Sequence, residues 1–285
     1  MLRFLLKAHY VLTAPFAILA IMTSDSIHPG YRLSLFKRLR LGVRMFWNSM
    51  RVKTLTSYKV HLAIALKILE TPPEVEGDVV ECGTYKGGSA ANLSLICKLV
   101  NRRLLVFDSF EGLPEGKPGD REAHIYSKGD FCGQLDEVKR NVRSHGAIEV
   151  CEFVKGWFDD TLPTLKTPVI LAFLDVDLEA SLDTCVRYLW PRLVDNGHLF
   201  TDEAVSLDFT ALFFSEKWWR QNMNQSPPGL IGAGTGLPLG EYYLGPMSAL
   251  GSHALWHPNG VGYTQKGMSG VWAYYPEESR KSSVG

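Results

Sequence analysis

Between residues 77 and 201 the chain repeats one unit: a short apolar run, a turn, then a helical period. Asp78–Cys82, Leu104–Phe107, Ile148–Val154, Val169–Leu174 and His198–Thr201 read as five strands. Helices are expected at Ser89–Val100, from about Leu135 to a left-handed cap at Gly146, and around Leu182–Leu189. Strands that are near-continuously apolar suit a parallel sheet buried on both faces, because each crossover lays a helix over it. The fold expected is therefore α/β and doubly wound. Upstream, residues 33–70 read as helical, with Leu62, Leu66 and Leu69 at a 3.6-residue period and Pro72-Pro73 as the stop. Downstream, residues 207–222 suggest another helix, "PPGLIGAGTGLPLGEYYLG" a loop, and "SGVWAYYP" a late strand. Two units are expected: a helical N-terminal extension, 1–74, and the α/β domain, 75–285.

Composition narrows the function classes. The 285 residues are 46% apolar and 21% charged, which is ordinary for a globular chain with a sizeable core. Thirty basic and thirty acidic residues cancel, leaving no nucleic-acid footprint. The five cysteines, Cys82, Cys97, Cys132, Cys151 and Cys185, show no C-x-x-C spacing and suggest reduced thiols in a cytoplasmic protein. Charge is nevertheless uneven. Arg32, Lys37, Arg38, Arg40, Arg44, Arg51 and Lys53 follow one another without an acid, and the apolar stretch Phe4–Thr23 precedes them. Three arrangements compete for that stretch: a helix packed on the body or on a partner, a membrane-interfacial helix, or a signal peptide. Lys7, His9 and the central Pro15 argue against a full span. Peripheral membrane contact through residues 1–53 is the expectation to test.

Ligands of an open parallel sheet bind beyond the carboxyl ends of its strands. There the chain places Glu81 and "CGTYKGGS", whose Gly83, Gly87 and Gly88 permit a tight turn and whose Ser89 can cap the next helix. Asp108 ends the second strand, 25 residues after Gly83, where an acid accepts hydrogen bonds from ribose hydroxyls. A nucleoside-bearing cofactor follows, and two classes compete. Dinucleotides want G-x-G-x-x-G, whereas here the spacing is G-x-x-x-G-G with an acid in front. That acid would repel a pyrophosphate and suits the ammonium of S-adenosylmethionine (AdoMet). Asp175 ends strand four, and Asp202 with Glu203 ends strand five, 27 residues beyond Asp175. One crossover separates them, and hard oxygen donors without Cys or His suit Mg²⁺.

In order and spacing, "GDVVECGTYKGGS", "DSFEGLP", "GWFDDTLP", "LDVDL" and "TDE" resemble the macrocin O-methyltransferase-like family, over about residues 75–205. The resemblance implies a Rossmann-like class I methyltransferase sheet of seven strands, the last antiparallel, and an AdoMet- and Mg²⁺-dependent enzyme acting on sugar hydroxyls of natural products. By motif it implies an AdoMet site of Glu81, Gly83, Thr84, Tyr85, Gly87, Ser89, Asp108, Ser109 and Asp175, with Gly156, Trp157, Phe158 and Asp160 near the adenine. It implies metal ligands Asp175, Asp202 and Glu203, the last replacing the family's usual second Asp. It also suggests that N-terminal segments pack between subunits of a homo-oligomer.

The expected chemistry is methyl transfer to a small-molecule hydroxyl made acidic by the metal, with a base taking the proton. Asp177, His124 and His253 are the candidate bases, with His257 beside the last. Trp218, Trp219, Tyr242 and Tyr243 are either an acceptor wall or core, and Glu179 and Asp183 read as the solvated first turn of a helix. Two other functions stay open: a nucleotide-dependent oxidoreductase and a silent binding protein on the same fold.

Overall fold

In the computed structural model the described residues are 8, 10–115, 125–204, 207–230 and 261–267. Six strands among them form one sheet: β1 (Asp78–Cys82), β2 (Leu104–Asp108), β3 (Cys151–Lys155), β4 (Val169–Leu174), β5 (Leu193–Thr201) and β6 (Gly262–Gln265). Their order is β3-β2-β1-β4-β5-β6, parallel except for β6, which runs antiparallel to β5. An antiparallel strand was expected last, but in "SGVWAYYP" (269–276); that stretch lies outside the described residues. Six strands are thus described against the seven that the resemblance implied.

The helices are α1 (Ala14–Thr23), α2 (Leu35–Arg51), α3 (Tyr58–Glu70), α4 (Gly88–Leu99), α5 (Leu135–His145), the single turn α6 (Phe158–Thr161), α7 (Glu179–Leu189), α8 (Leu207–Leu212) and α9 (Glu216–Met223). The period of two along each strand sorts them onto two faces. Val79, Val106, Leu171, Phe173 and Phe200 join buried residues of α3, α4 and α5. Val80, Cys82, Phe107, Ala172, Leu174 and Leu199 join those of α7 and α9. The winding direction switches between β1 and β4, where an open α/β sheet leaves a crevice.

The N-terminal helices share the first of these cores through Tyr10, Ile21, Met45 and Tyr58. Pro15 stands in the first turn of α1 rather than in mid-helix, and no helix of the described residues is long and apolar enough to cross a membrane. A buried polar chain fixes α2 to the body. Asn48 Nδ2 donates to Asn92 Oδ1 (2.9 Å) and to the His145 carbonyl (3.0 Å), while Asn92 Nδ2 meets His61 Nδ1 at 2.8 Å. Burial holds that imidazole neutral, with its pKa pushed down to about 3.

Three local expectations need correction. Ile148–Val150 is a 3₁₀ turn, so β3 starts at Cys151. The expected 207–222 helix is split, because the Ser215 hydroxyl accepts from Trp218 N and starts α9 anew. Gly146 ends α5 at φ −112°, not in the left-handed region; glycine is needed there for space. A Cβ would lie 2.4 Å from Ser94 Oγ and 2.9 Å from the Ala91 carbonyl oxygen. Gly146→Ala is expected to lower stability by about 1–3 kcal/mol through overpacking. Urea unfolding would show it, and an unchanged midpoint would refute the packing account.

Candidate active site

Hydrogen bonds that continue past the strand ends build the site. Asp175 N donates to the Cys82 carbonyl (2.9 Å) and Asp202 N to the Leu174 carbonyl (3.0 Å), so the acids of β4 and β5 are set in sheet register. Gly83 turns away from β1 at φ +81°, and a Cβ there would stand 1.8 Å from the Asp175 carbonyl oxygen. Only glycine lets the two strand ends close this far. Gly87, also at φ +81°, is the N-cap of α4; Ser89 is therefore not the cap but lies within its first turn, buried.

The cleft over these ends is lined by Gly83, Thr84, Tyr85, Ser89, Asp108, Ser109, Gly156, Trp157, Phe158, Asp175 and Asp177, all of them expected from sequence. Asp108 Oδ2 accepts from Thr84 N (2.8 Å) and Oδ1 from Phe110 N (2.6 Å). Burial raises its pKa and these amide donors pull it back. Glu81 lies beneath the glycine turn with no exposed surface. Neither of its carboxylate oxygens has a hydrogen bond of ordinary geometry, although the Ser89 and Thr84 hydroxyls are near enough to lower its pKa somewhat. Burial dominates and pushes that pKa up to about 8. Gly87 stands behind the cleft, and Asp160 is exposed and outside its lining.

Carboxylate oxygens of Asp175, Asp177 and Glu203 lie within 4.8 Å of one another. Asp202, expected as the third member, is not in this trio. Its Oδ1 is buried without a hydrogen bond, and it feels the charges of Asp175, Glu203 and Asp177. Asp177 enters because its backbone adopts φ +56°, a left-handed turn unusual for a non-glycine residue. Glu203 braces that turn: its Oε1 accepts from Val176 N (3.2 Å) and Asp177 N (3.0 Å), and its Oε2 from the Thr201 hydroxyl (3.1 Å). All four pKa values are raised, first by burial; the Asp175 charge raises the other three, and Asp108 raises Asp175.

Sequence reasoning missed the segment between α2 and α3. Thr54 and Leu55 line the cleft, and the Thr56 hydroxyl donates to Asp175 Oδ2 at 3.0 Å. Its one local signal is the hydroxyl-rich "TLTS" before the helix. Leu113, Pro114, Phe131 and Ser181 complete the wall. Trp219 is core, fully buried 4.8 Å from the Trp190 ring, and Trp218 donates its indole N–H to Asp183. Asp183 also pairs with Arg187, so it is more than a solvated helix start. His124, His253, His257, Tyr242 and Tyr243 lie outside the described residues.

Residues 60–226 match the macrocin-O-methyltransferase (TylF) family. The chain belongs to this family. Over 139 residues, 45% of the chain and 53% of the relative, it is 34% identical to the 8-demethyl-8-(2,3-dimethoxy-alpha-L-rhamnosyl)-tetracenomycin-C 4'-O-methyltransferase of Streptomyces olivaceus. It is 31% identical, with the same coverage, to the demethyldecarbamoylnovobiocin O-methyltransferase of Streptomyces niveus. The chain spans about half the length of the curated relatives it matches. The fold matches the structure of the O-methyltransferase NovP, with TM-score 0.59 and 21% identity over 90% of this chain and 99% of that one.

Glu81 gives a prediction with a definite sign. A buried acid whose folded pKa is raised keeps the proton that the unfolded chain releases above its ordinary value, so the ligand-free fold loses stability as pH rises between the two. Glu81→Gln removes that loss. Its melting temperature should therefore fall less than that of the wild type between about pH 5 and about pH 8. Equal slopes would show that Glu81 carries no such strain.

Proposed function

We propose that the protein is an AdoMet-dependent O-methyltransferase that acts on a hydroxyl of a sugar-bearing or other small natural product, assisted by a divalent cation. One observation carries this reading: Asp108 and the glycine turn, with Glu81 buried beneath it, bound one side of a single cleft, and Asp175 and Asp177 of the acidic trio line it as well. One relative is named for methyl transfer to a rhamnosyl-tetracenomycin and the other for methyl transfer to demethyldecarbamoylnovobiocin, which supports the acceptor class.

The donor sets fit both groups. Glu81, buried and unpartnered, suits an ammonium; Asp108 suits ribose hydroxyls; Trp157 and Phe158 offer rings to an adenine. Four mutually repelling acids with hard oxygen donors suit Mg²⁺. Asp175, Asp177 and Glu203, whose carboxylate oxygens converge, would hold it, with the buried Asp202 beside them. When bound there, such an ion supplies positive charge that lowers the pKa of a nearby hydroxyl.

The chain's own residues do the rest. Thr56 fixes the Asp175 carboxylate, and Glu203 fixes the backbone from which Asp177 projects. Of the three candidate bases, Asp177 is the one that lies among the described residues, and it lines the cleft. The cleft walls hold donor and acceptor in line, so most of the rate comes from positioning and electrostatics.

Calorimetric titration of the protein with AdoMet, NAD and NADP, with and without Mg²⁺, tests this. AdoMet should bind and the dinucleotides should not. At a hundredfold excess over Kd it should stabilise the fold by about 2.7 kcal/mol. Mg²⁺ should raise the melting temperature of the wild type but not of Asp175→Asn. Failure of AdoMet to bind would sink the proposal, and AdoMet binding with no response to Mg²⁺ would sink the metal.

A further inference from the structure

The outer face of the N-terminal arm does not belong to the methyl-transfer cleft and is built unlike the rest of the surface. Leu12, Phe16 and Leu19 stand exposed on the first helical segments, and Phe36, Trp47 and Met50 on α2; Leu12, Phe16 and Phe36 are each 70% exposed or more. At 100° per residue α2 has three arcs. Leu41, Met45 and Asn48 face the body and are buried. Phe36, Leu39, Trp47 and Met50 form an apolar arc open to solvent. Lys37, Arg40, Arg44 and Arg51 form a basic arc between the two.

That basic arc rims a groove of about 380 Å³ between α2 and α4, floored by Leu41, Leu95 and Leu99, with Lys98 on its far wall. No carboxylate of the described residues pairs with the four cations of the basic arc, and from Tyr31 to Lys53 the sequence contains no acid. Arg44 touches the His145 carbonyl (3.4 Å), Arg51 covers the Trp47 ring (5.6 Å), and Lys98 pairs with Glu149. Arg38 alone turns inward, donating to the carbonyls of Met22, Ser24 and Leu33, and so ties α1 to α2 as one slab.

We propose that this slab docks on an anionic phospholipid bilayer. The apolar arc enters the boundary between headgroups and acyl chains, while the basic arc and its groove meet lipid phosphates. Charge complementarity selects the occupant. A second copy seated on the same face by a two-fold axis would set Lys37, Arg40, Arg44 and Arg51 against their own duplicates, with no acid between Tyr31 and Lys53 to relieve them. A bilayer rich in phosphate relieves all four. The docked helix runs straight into the segment that carries Thr54, Leu55 and Thr56, so the methyl-transfer cleft opens close to the lipid surface.

Cosedimentation of the full chain tests this with vesicles of phosphatidylcholine alone and with about one third phosphatidylglycerol. Binding should need the anionic lipid and weaken with salt. The double variants Arg40→Glu with Arg44→Glu, and Phe36→Ser with Trp47→Ser, should each lose at least about tenfold in partitioning. Their melting temperatures should stay at the wild-type value, because all four side chains are exposed. Three results would overturn the proposal: no partitioning at low salt, partitioning that neither variant reduces, or a wild-type dimer that Phe36→Ser with Trp47→Ser dissociates.

Discussion

The contact between Gly83 and Asp175 sets the geometry of everything around the cleft. Two adjacent parallel strands normally splay once their ladder ends, and the winding reversal between β1 and β4 opens a crevice there. Here the ladder runs one step further, through the hydrogen bond from Asp175 N to the Cys82 carbonyl, and the missing Cβ of Gly83 leaves room for it. Because of that step, Asp175 stands beside the glycine turn instead of out over the crevice. Any side chain at position 83 would push apart the glycine turn and the acidic wall together.

The second constraint is electrostatic. Glu81, Asp108, Asp175, Asp177, Asp202 and Glu203 crowd around one cleft, and burial raises the pKa of each above its ordinary value. Such a group of acids strains the ligand-free fold, since each ionised carboxylate loses hydration and meets like charges. The backbone answers only part of this, with amides of Thr84 and Phe110 on Asp108 and of Val176 and Asp177 on Glu203. Bound cationic groups would answer the remainder. Stability given up in the empty site thus returns as affinity when positive charge arrives.

How much of this could be read in advance depended on how local each feature is. β1 and β4 match the sequence reading end to end: β4 is an unbroken apolar run, and β1 is marked by its apolar residues between Gly77 and the glycine turn, with the acid Glu81 buried inside it. β5 was read short. Its first half carries Asp195 and Asn196, exposed polar residues that look like loop, yet the ladder absorbs them through a register shift between Val169 and Leu171. Glycine turns and strand-end acids were legible because their chemistry sits within a few residues. The contact from Thr56 to Asp175 spans 119 positions, and no local pattern could announce it. The exchange of Asp202 for Asp177 in the acidic trio was equally hidden, since it turns on one left-handed residue and on which atoms Glu203 braces.

The N-terminal arm therefore has a larger part than a stretch that merely precedes a catalytic domain. It shares the core with the sheet, it is fixed by the buried chain of Asn48, Asn92 and His61, and its connecting segment closes one wall of the cleft. The Asn48 bonds hold one side of α2 to the body, and the short segment after Arg51 leads directly to Thr56 and its bond to Asp175. The arm is therefore part of the scaffold on which the acidic wall of the cleft stands, because the hydroxyl that fixes Asp175 comes from the arm and not from the sheet.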